Sequence, residues 1–200
     1  MLPWRATIHV GGCDIDDAKW HAQAFSKDMH GNFVDDGENI HLIEGAGTIG
    51  LEIGTTLSDI DWLFTPLGSG SLASGTAAAL KALQPNVRVA AVQSEGSPAM
   101  VESFHSRKKI ERPVETIADC VTCRVPAVLV LNALVRHVDD ANLVSDQALL
   151  SAVHTLASDA HILVETGAAA GLTGAWGRRR ELKGKRIVVL LPVQIFQWII

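Results

Sequence analysis

Asp61-Trp62-Leu63-Phe64-Thr65-Pro66-Leu67-Gly68-Ser69-Gly70-Ser71-Leu72 is the stretch that decides the fold of this chain. Its first half is an apolar, aromatic run of the kind that forms a buried strand, and Pro66 closes it because proline has no N–H to give a ladder. Gly68-Ser69-Gly70-Ser71 follows as a turn, and Leu72 to Leu83 reads as an alanine-rich helix. Strand, glycine turn and helix in that order begin a parallel βα unit. Glycines let backbone N–H groups approach an anion closely, a helix N-terminus adds partial positive charge, and Ser69 and Ser71 add hydroxyl donors. The spacing leaves two readings open, a phosphate-binding loop and a plain βα turn.

Outward from this stretch, short β-branched runs alternate with longer helical ones, the pattern of a mostly parallel α/β sheet. Ala6–Val10 reads as a strand closed by Gly11-Gly12, and Asp14 or Asp16 caps the helix that follows. Ala18, His21, Ala22, Phe25 and Met29 recur at helical spacing in it, and Gly31 ends it. Residues 31–45 read as irregular, with helix resuming at Thr48–Ile53. Strands are expected at Val87–Val92, near Leu143-Val144 and at Arg186–Leu191, and helices at about 98–107, 127–138, 146–158 and 167–182.

Composition narrows the function. A net charge of -5 gives no basic footprint for nucleic acid, and no apolar run approaches the ~18 residues of a membrane span. The first residues lack the pattern of a signal peptide, and three cysteines suit a reducing cytoplasm better than a disulfide framework. Cys120-Val121-Thr122-Cys123 has metal spacing, but only Cys13 remains to complete a zinc site, and the eight histidines are scattered. Gly45-Ala46-Gly47-Thr48-Ile49-Gly50 is a literal GxGxxG, yet no good strand precedes it and no acidic residue follows at the dinucleotide spacing. Glu165 follows the apolar run Ile162-Leu163-Val164 and precedes a run of small residues, a place for either a cofactor-facing acid or a helix N-cap.

Taken in order, these segments resemble the threonine/serine dehydratase branch of the fold-type II pyridoxal-phosphate enzymes, over essentially the whole chain. Val10-Gly11-Gly12-Cys13-Asp14-Ile15-Asp16-Asp17-Ala18 is similar to that family's strand-to-helix segment, and Gly45–Glu52 to its G-x-G-T-[IL]-x-x-E segment. Pro66–Leu72 resembles its P-x-G-G-G-G-L loop, with Ser69 and Ser71 in place of two glycines. Glu115-Thr116-Ile117-Ala118-Asp119-Cys120 is similar to E-T-I-A-D-G with cysteine for glycine, which makes the CxxC an accident. Val164–Gly171 resembles V-E-P-x-G-A-A. The resemblance implies an incomplete tryptophan synthase beta-like fold, a mostly parallel open sheet flanked by helices. Residues 1–53 would be a remnant of the small domain and crossover, and 54–200 the large domain. It also implies pyridoxal phosphate as cofactor, held at Gly68, Ser69, Gly70, Ser71 and Leu72 with Glu165 near its ring, and a hydroxy amino acid as substrate.

The departures bear on activity. The family carries its cofactor on a Schiff-base lysine in S-F-K-x-R-G, about a hundred residues upstream of G-x-G-T, together with an asparagine loop. The 44 residues before Gly45 hold only Lys19 and Lys27, neither in that context. No catalytic lysine is therefore assigned, cofactor binding is expected to be weak or absent, and the chain reads as N-terminally truncated. Uncovered sheet edges and apolar faces would then favour homo-oligomers, or pairing with a complementing N-terminal fragment. Gln93 stands where some members carry a metal-binding glutamate, so no metal is expected. After Leu191 the family reads [ST]-G-[GA]-N, whereas this chain reads Pro192-Val193-Gln194-Ile195-Phe196. A one-base shift of one back-translation of those residues restores Thr-Gly-Ala-Asn-Ile, which suggests a slipped reading frame and a decayed gene product.

Overall fold

The computed structural model describes residues 7–192. The supposed frame slip beyond Pro192 lies outside the described residues. The chain divides into two compact units, one ending at Asp35 and one starting at Asp36.

The first unit holds helix α1, Ile15–Asp28. Of the two candidate caps it is Asp14 that serves, its carboxylate Oδ1 accepting from the Asp17 N–H at 2.9 Å. The strand expected at Ala6–Val10 does not form over residues 7–10, where Val10 is 95% exposed. A β-branched run becomes a strand only when a neighbour completes its ladder, and no described segment pairs with this one.

The second unit runs α2 (Ile40–Thr56), β1 (Trp62–Pro66), α3 (Ser71–Leu83), β2 (Arg88–Ser94), α4 (Ala99–Ser106), α5 (Val128–His137), β3 (Asp140–Val144), α6 (Asp146–Asp159), α7 (Ala170–Gly177) and β4 (Ile187–Val189). All described strand pairs are parallel, in the order β3-β2-β1-β4. Trp62–Phe64 of β1 and Val89–Val92 of β2 are buried on both faces, which is why those runs are continuously apolar. One core layer joins Leu63, Val89 and Ala91 to Ala77, Leu80, Met100 and Leu134; the other joins Phe64, Ala90 and Val92 to Leu149 and Ala170.

Two helices differ from expectation. α2 begins at Ile40, earlier than Thr48, with Asn39 accepting from the His41 N–H at 2.9 Å. Its glycines serve packing: a Cβ at Gly50 would overlap the Thr76 carbonyl oxygen, and one at Gly75 of α3 would overlap the Ile43 carbonyl oxygen. The GxGxxG is thus a helix–helix contact surface and not a nucleotide loop. The helix expected over 167–182 is a 3₁₀ turn, Gly167–Ala169, followed by α7, which stops at Gly177. Arg178 leaves the helix to pair with Asp140 and to donate to the Asn142 Oδ1 at 2.6 Å, beneath the sheet.

Candidate functional site

The anion loop sits where β1 feeds α3. Its conformation is fixed at Gly70, which adopts φ +102° and is packed so closely that a Cβ would stand 2.6 Å from Val130 Cγ1 and 2.7 Å from Leu134 Cδ1. Both features require glycine, by backbone conformation and by space. Gly70 is also the N-cap of α3, so no side chain caps that helix. The first N–H groups of α3, at Ser71, Leu72 and Ala73, therefore have no intrahelical acceptor. The Ser71 hydroxyl is buried without a hydrogen-bond partner. A buried orphan hydroxyl costs on the order of 1–3 kcal/mol unless a ligand satisfies it. Uncapped N–H groups, a helix dipole and this orphan hydroxyl together suit a phosphate group.

Ser69 points the other way. Its hydroxyl donates to Asp36 Oδ2 at 2.7 Å, which brings a carboxylate to the rim of the loop. That charge opposes an incoming dianion. Leu72 is half-buried at the first turn of α3.

The Gly68 end of the loop rests on a second segment. A Cβ on Gly68 would lie 2.8 Å from the Cys120 carbonyl oxygen, so the loop and the 3₁₀ turn Asp119–Val121 touch backbone to backbone. Cys120 thus lies in a tight turn. The negative charge of Glu165 disfavours ionisation of the Cys120 thiol. Although Cys120 as a whole is exposed, its sulfur lies over the buried Gly167, where a Cβ would overlap it. Burial, and next the Glu165 carboxylate, push this thiol up to about 12. The structure therefore brings Gly68, Cys120 and Gly167 into one chain of contacts.

Sequence reasoning missed the residue that holds this arrangement. Asp146, the first residue of α6, accepts from Ser94 Oγ at 2.7 Å, Thr116 Oγ1 at 2.6 Å and the Ile117 N–H at 2.9 Å. Burial alone would raise its carboxyl, but the hydrogen bonds from Thr116, Ser94 and Ile117 outweigh burial and hold it below its ordinary value. Thr166 Oγ1 then donates to the Ile117 carbonyl at 3.0 Å, joining the Glu165 segment to the same turn. The only sequence signal was Ser145-Asp146, a serine N-cap followed by an acid, which reads as ordinary helix capping.

Gln93 is wholly buried, donating to the Val121 carbonyl and accepting from the Val101 N–H. Its amide is a structural strut between β2, α4 and the Cys120 turn. Among the described residues no His/Cys/Asp/Glu group of three or more has metal-binding geometry, and no helix is long and apolar enough to cross a membrane. Cys123 is buried while Cys120 is exposed. Lys19 is engaged by Asp35 at 2.9 Å, and Lys27 lies in the last turn of α1.

Comparison with known proteins agrees with this geometry. The chain is 31% identical over 189 residues to the L-threonine ammonia-lyase of Thermotoga maritima, covering 93% of this chain and 46% of that protein. It is 29% identical to the catabolic L-threonine dehydratase of Staphylococcus aureus, covering 94% of this chain and 56% of that one. Its fold superimposes on the processed form of threonine deaminase isoform 2 from Solanum lycopersicum with TM-score 0.87 and 25% identity, over 95% of this chain and 56% of that chain. The chain thus spans about half the length of the curated relatives it matches. Residues 1–193 match the family described as pyridoxal-phosphate dependent enzyme, and the chain belongs to that family.

Proposed function

We propose that these 200 residues hold the cofactor phosphate of a threonine/serine ammonia-lyase, and that the cofactor-bearing lysine of that activity is not among them. The observation that carries the reading is the loop at Gly70-Ser71, where a strained glycine, an uncapped helix and an orphan buried hydroxyl converge. In this reading residues 54–200 are the large domain and 1–53 the remnant of the small domain and crossover. The substrate is a hydroxy amino acid, and the setting is cytoplasmic.

The division of labour follows from the residues present. Ser71 and the first N–H groups of α3 hold the phosphate, and Gly68 and Gly70 let the loop that presents them pack against Cys120, Val130 and Leu134. Glu165 stands on the far side of the Cys120 turn, where it would face the ring. Pyridoxal phosphate, when bound, supplies the electron sink for removal of the substrate α-proton. Lys19 and Lys27 are the only lysines before Gly45, and Lys19 is committed to Asp35.

Two measurements test this. Titration of the purified chain with pyridoxal phosphate, followed by calorimetry, is expected to show weak binding that Ser71→Ala weakens roughly tenfold, the loss of one hydrogen bond to a charged group. Asp36→Asn is expected to tighten binding about fivefold by removing a like charge worth ~1 kcal/mol near the surface. Equal affinities in all three proteins would place the phosphate elsewhere. In the second measurement, the chain supplied with cofactor is expected to release no 2-oxo acid from L-threonine or L-serine. Turnover that disappears when the cofactor is removed would mean that a lysine within these 200 residues carries the cofactor.

A further inference from the structure

A cavity of about 330 Å³ opens between α6 and α7, and none of its lining residues belongs to the anion loop. That volume is at the small end of ligand pockets. The space exists because α6 presents Ala148 and Ala152 there and α7 ends in Gly177, with Leu172 and Trp176 as apolar walls. Its inner side is held in place by packing. Ala152 belongs to a core layer with Leu156, Val164 and Ala168, and Leu172 packs against the same layer. Trp176 is 64% exposed, so its indole offers a flat apolar face beside the opening.

Two polar features narrow what fits. The Arg179 guanidinium lies 5.4 Å from the centroid of the Trp176 ring, and its Nη1 donates to the Trp176 carbonyl at 3.0 Å. A cation is thereby held against one wall of the cavity, with Arg180 exposed next in sequence. The end of α7 would itself repel an anion, because helix C-terminal carbonyls carry partial negative charge. Here the Ala175 and Trp176 carbonyls accept from the Arg178 and Arg179 N–H groups at 3.1 and 3.2 Å, which blunts that repulsion. The second feature is a set of hydroxyls. Ser151, Thr155 and Thr173 line the cavity, and each donates to the carbonyl four residues before it. Their oxygens therefore have lone pairs to offer a ligand and no proton.

We infer that this cavity binds an aromatic carboxylate whose ring carries an N–H, of the size of an indole acid. The ring fills the apolar space against Trp176 and Leu172, its N–H donates to one of the three hydroxyls, and the carboxylate pairs with Arg179. A neutral ring gives up the guanidinium, and a bare phosphate gives up the apolar walls. The site uses no cofactor and no residue of the anion loop, so it stands or falls apart from the proposed function.

The experiment is a saturation-transfer NMR titration of the intact chain with indole-3-acetate, indole and naphthalene-1-acetate, without pyridoxal phosphate. Indole-3-acetate is expected to bind with a dissociation constant of about 1 mM or tighter, as suits a ligand of its size. Indole lacks the carboxylate and should bind roughly tenfold more weakly, and naphthalene-1-acetate lacks the N–H and should bind about fivefold more weakly. Arg179→Gln is expected to weaken indole-3-acetate roughly tenfold and to leave indole unchanged. Ala148→Phe, which fills the cavity, is expected to abolish binding of all three. A dissociation constant for indole-3-acetate above about 10 mM overturns the inference, as does binding that survives in a folded Ala148→Phe protein. Naphthalene-1-acetate that binds as tightly as indole-3-acetate overturns it too, since the hydroxyls then select no donor. If Ala148→Phe does not fold by circular dichroism, Trp176→Ala at its exposed position decides: a severalfold loss for all three ligands supports the site, and unchanged affinity overturns it.

Discussion

Alanine at Gly50 or at Gly75 is expected to lower the melting temperature of this protein by about 4–8 °C, although alanine is the better helix former at both places. The sign is set by two opposed terms. Exchanging glycine for alanine inside a helix gains up to ~1 kcal/mol. Against this, a Cβ at Gly50 overlaps the Thr76 carbonyl oxygen and stands 2.9 Å from the Leu80 amide nitrogen. A Cβ at Gly75 overlaps the Ile43 carbonyl oxygen and approaches Gly47 N at 3.0 Å. These neighbours are backbone atoms, so no rotamer change relieves the clash and the helices must move apart. Overpacking of this kind costs about 1–3 kcal/mol or more, and helix separation also exposes Ile43, Ala77 and Leu80. A net loss near 2 kcal/mol corresponds to that shift in a chain of this size. Gly45, where a Cβ meets nothing within 4 Å, is the control, and Gly45→Ala should be neutral or mildly stabilising. Thermal melts by circular dichroism measure all three; equal melting temperatures for Gly45→Ala and Gly50→Ala would mean that α2 does not pack on α3 through these glycines.

This result bears on what could be read from the sequence. Gly45, Gly47 and Gly50 match a nucleotide motif by spacing, and the same spacing places Gly47 and Gly50 where α2 meets α3 closely. Spacing cannot say whether a missing side chain makes room for a phosphate or for another helix; only the partner decides. Trp62–Leu83 was legible because its strand is buried on both faces and its helix is rich in alanine, so local and tertiary preferences agree. Residues 7–10 misled for the opposite reason, since a strand depends on a partner outside the segment. Ser71 was chosen as a hydroxyl donor, and its orphaned oxygen gives that choice physical content. Ser69 was chosen on the same grounds, yet its hydroxyl is spent on Asp36, a contact across 33 residues that no local pattern encodes. Cys120 was set aside because it completes no metal set. Its place over Gly167 appears only once two turns distant in sequence are brought together.

Asp146→Ala is the second substitution expected to have a large effect, and it separates local release from global unfolding. The carboxylate receives Ser94, Thr116 and Ile117 at once, and it stands at the N-terminus of α6, where the helix dipole favours a negative charge. Truncation leaves two hydroxyls and an N–H to find water or remain unpaired. Each bond to a charged acceptor is worth about 1.5–3 kcal/mol; because the three share one acceptor, about 3 kcal/mol is the reasonable total. The melting temperature should then fall by roughly 6–12 °C. Asp146→Asn should lose less, since its carbonyl oxygen still accepts from one side while its amide meets donors on the other. The pH dependence carries a definite sign. Asp146 is held below its ordinary value of 3.8, so its contribution is fully present above that value and is lost as pH falls through the lower folded value. The stability gap between the unmodified protein and Asp146→Asn should therefore be flat above about pH 5 and narrow below about 3.8, where the unfolded chain takes up a proton that the folded one resists. A gap that widens on acidification would mean that Asp146 is protonated in the fold. The local consequence is the more informative one. Thr116 and Ile117 are the anchor of the turn that carries Cys120, and Thr166 donates to the Ile117 carbonyl. If Asp146 fixes that turn, Cys120 in Asp146→Ala should alkylate faster than in the unmodified protein well below the temperature at which the helices melt. If labelling rises only in step with global unfolding, the turn is held by its packing on Gly68 and Gly167, and Asp146 stabilises α6 alone.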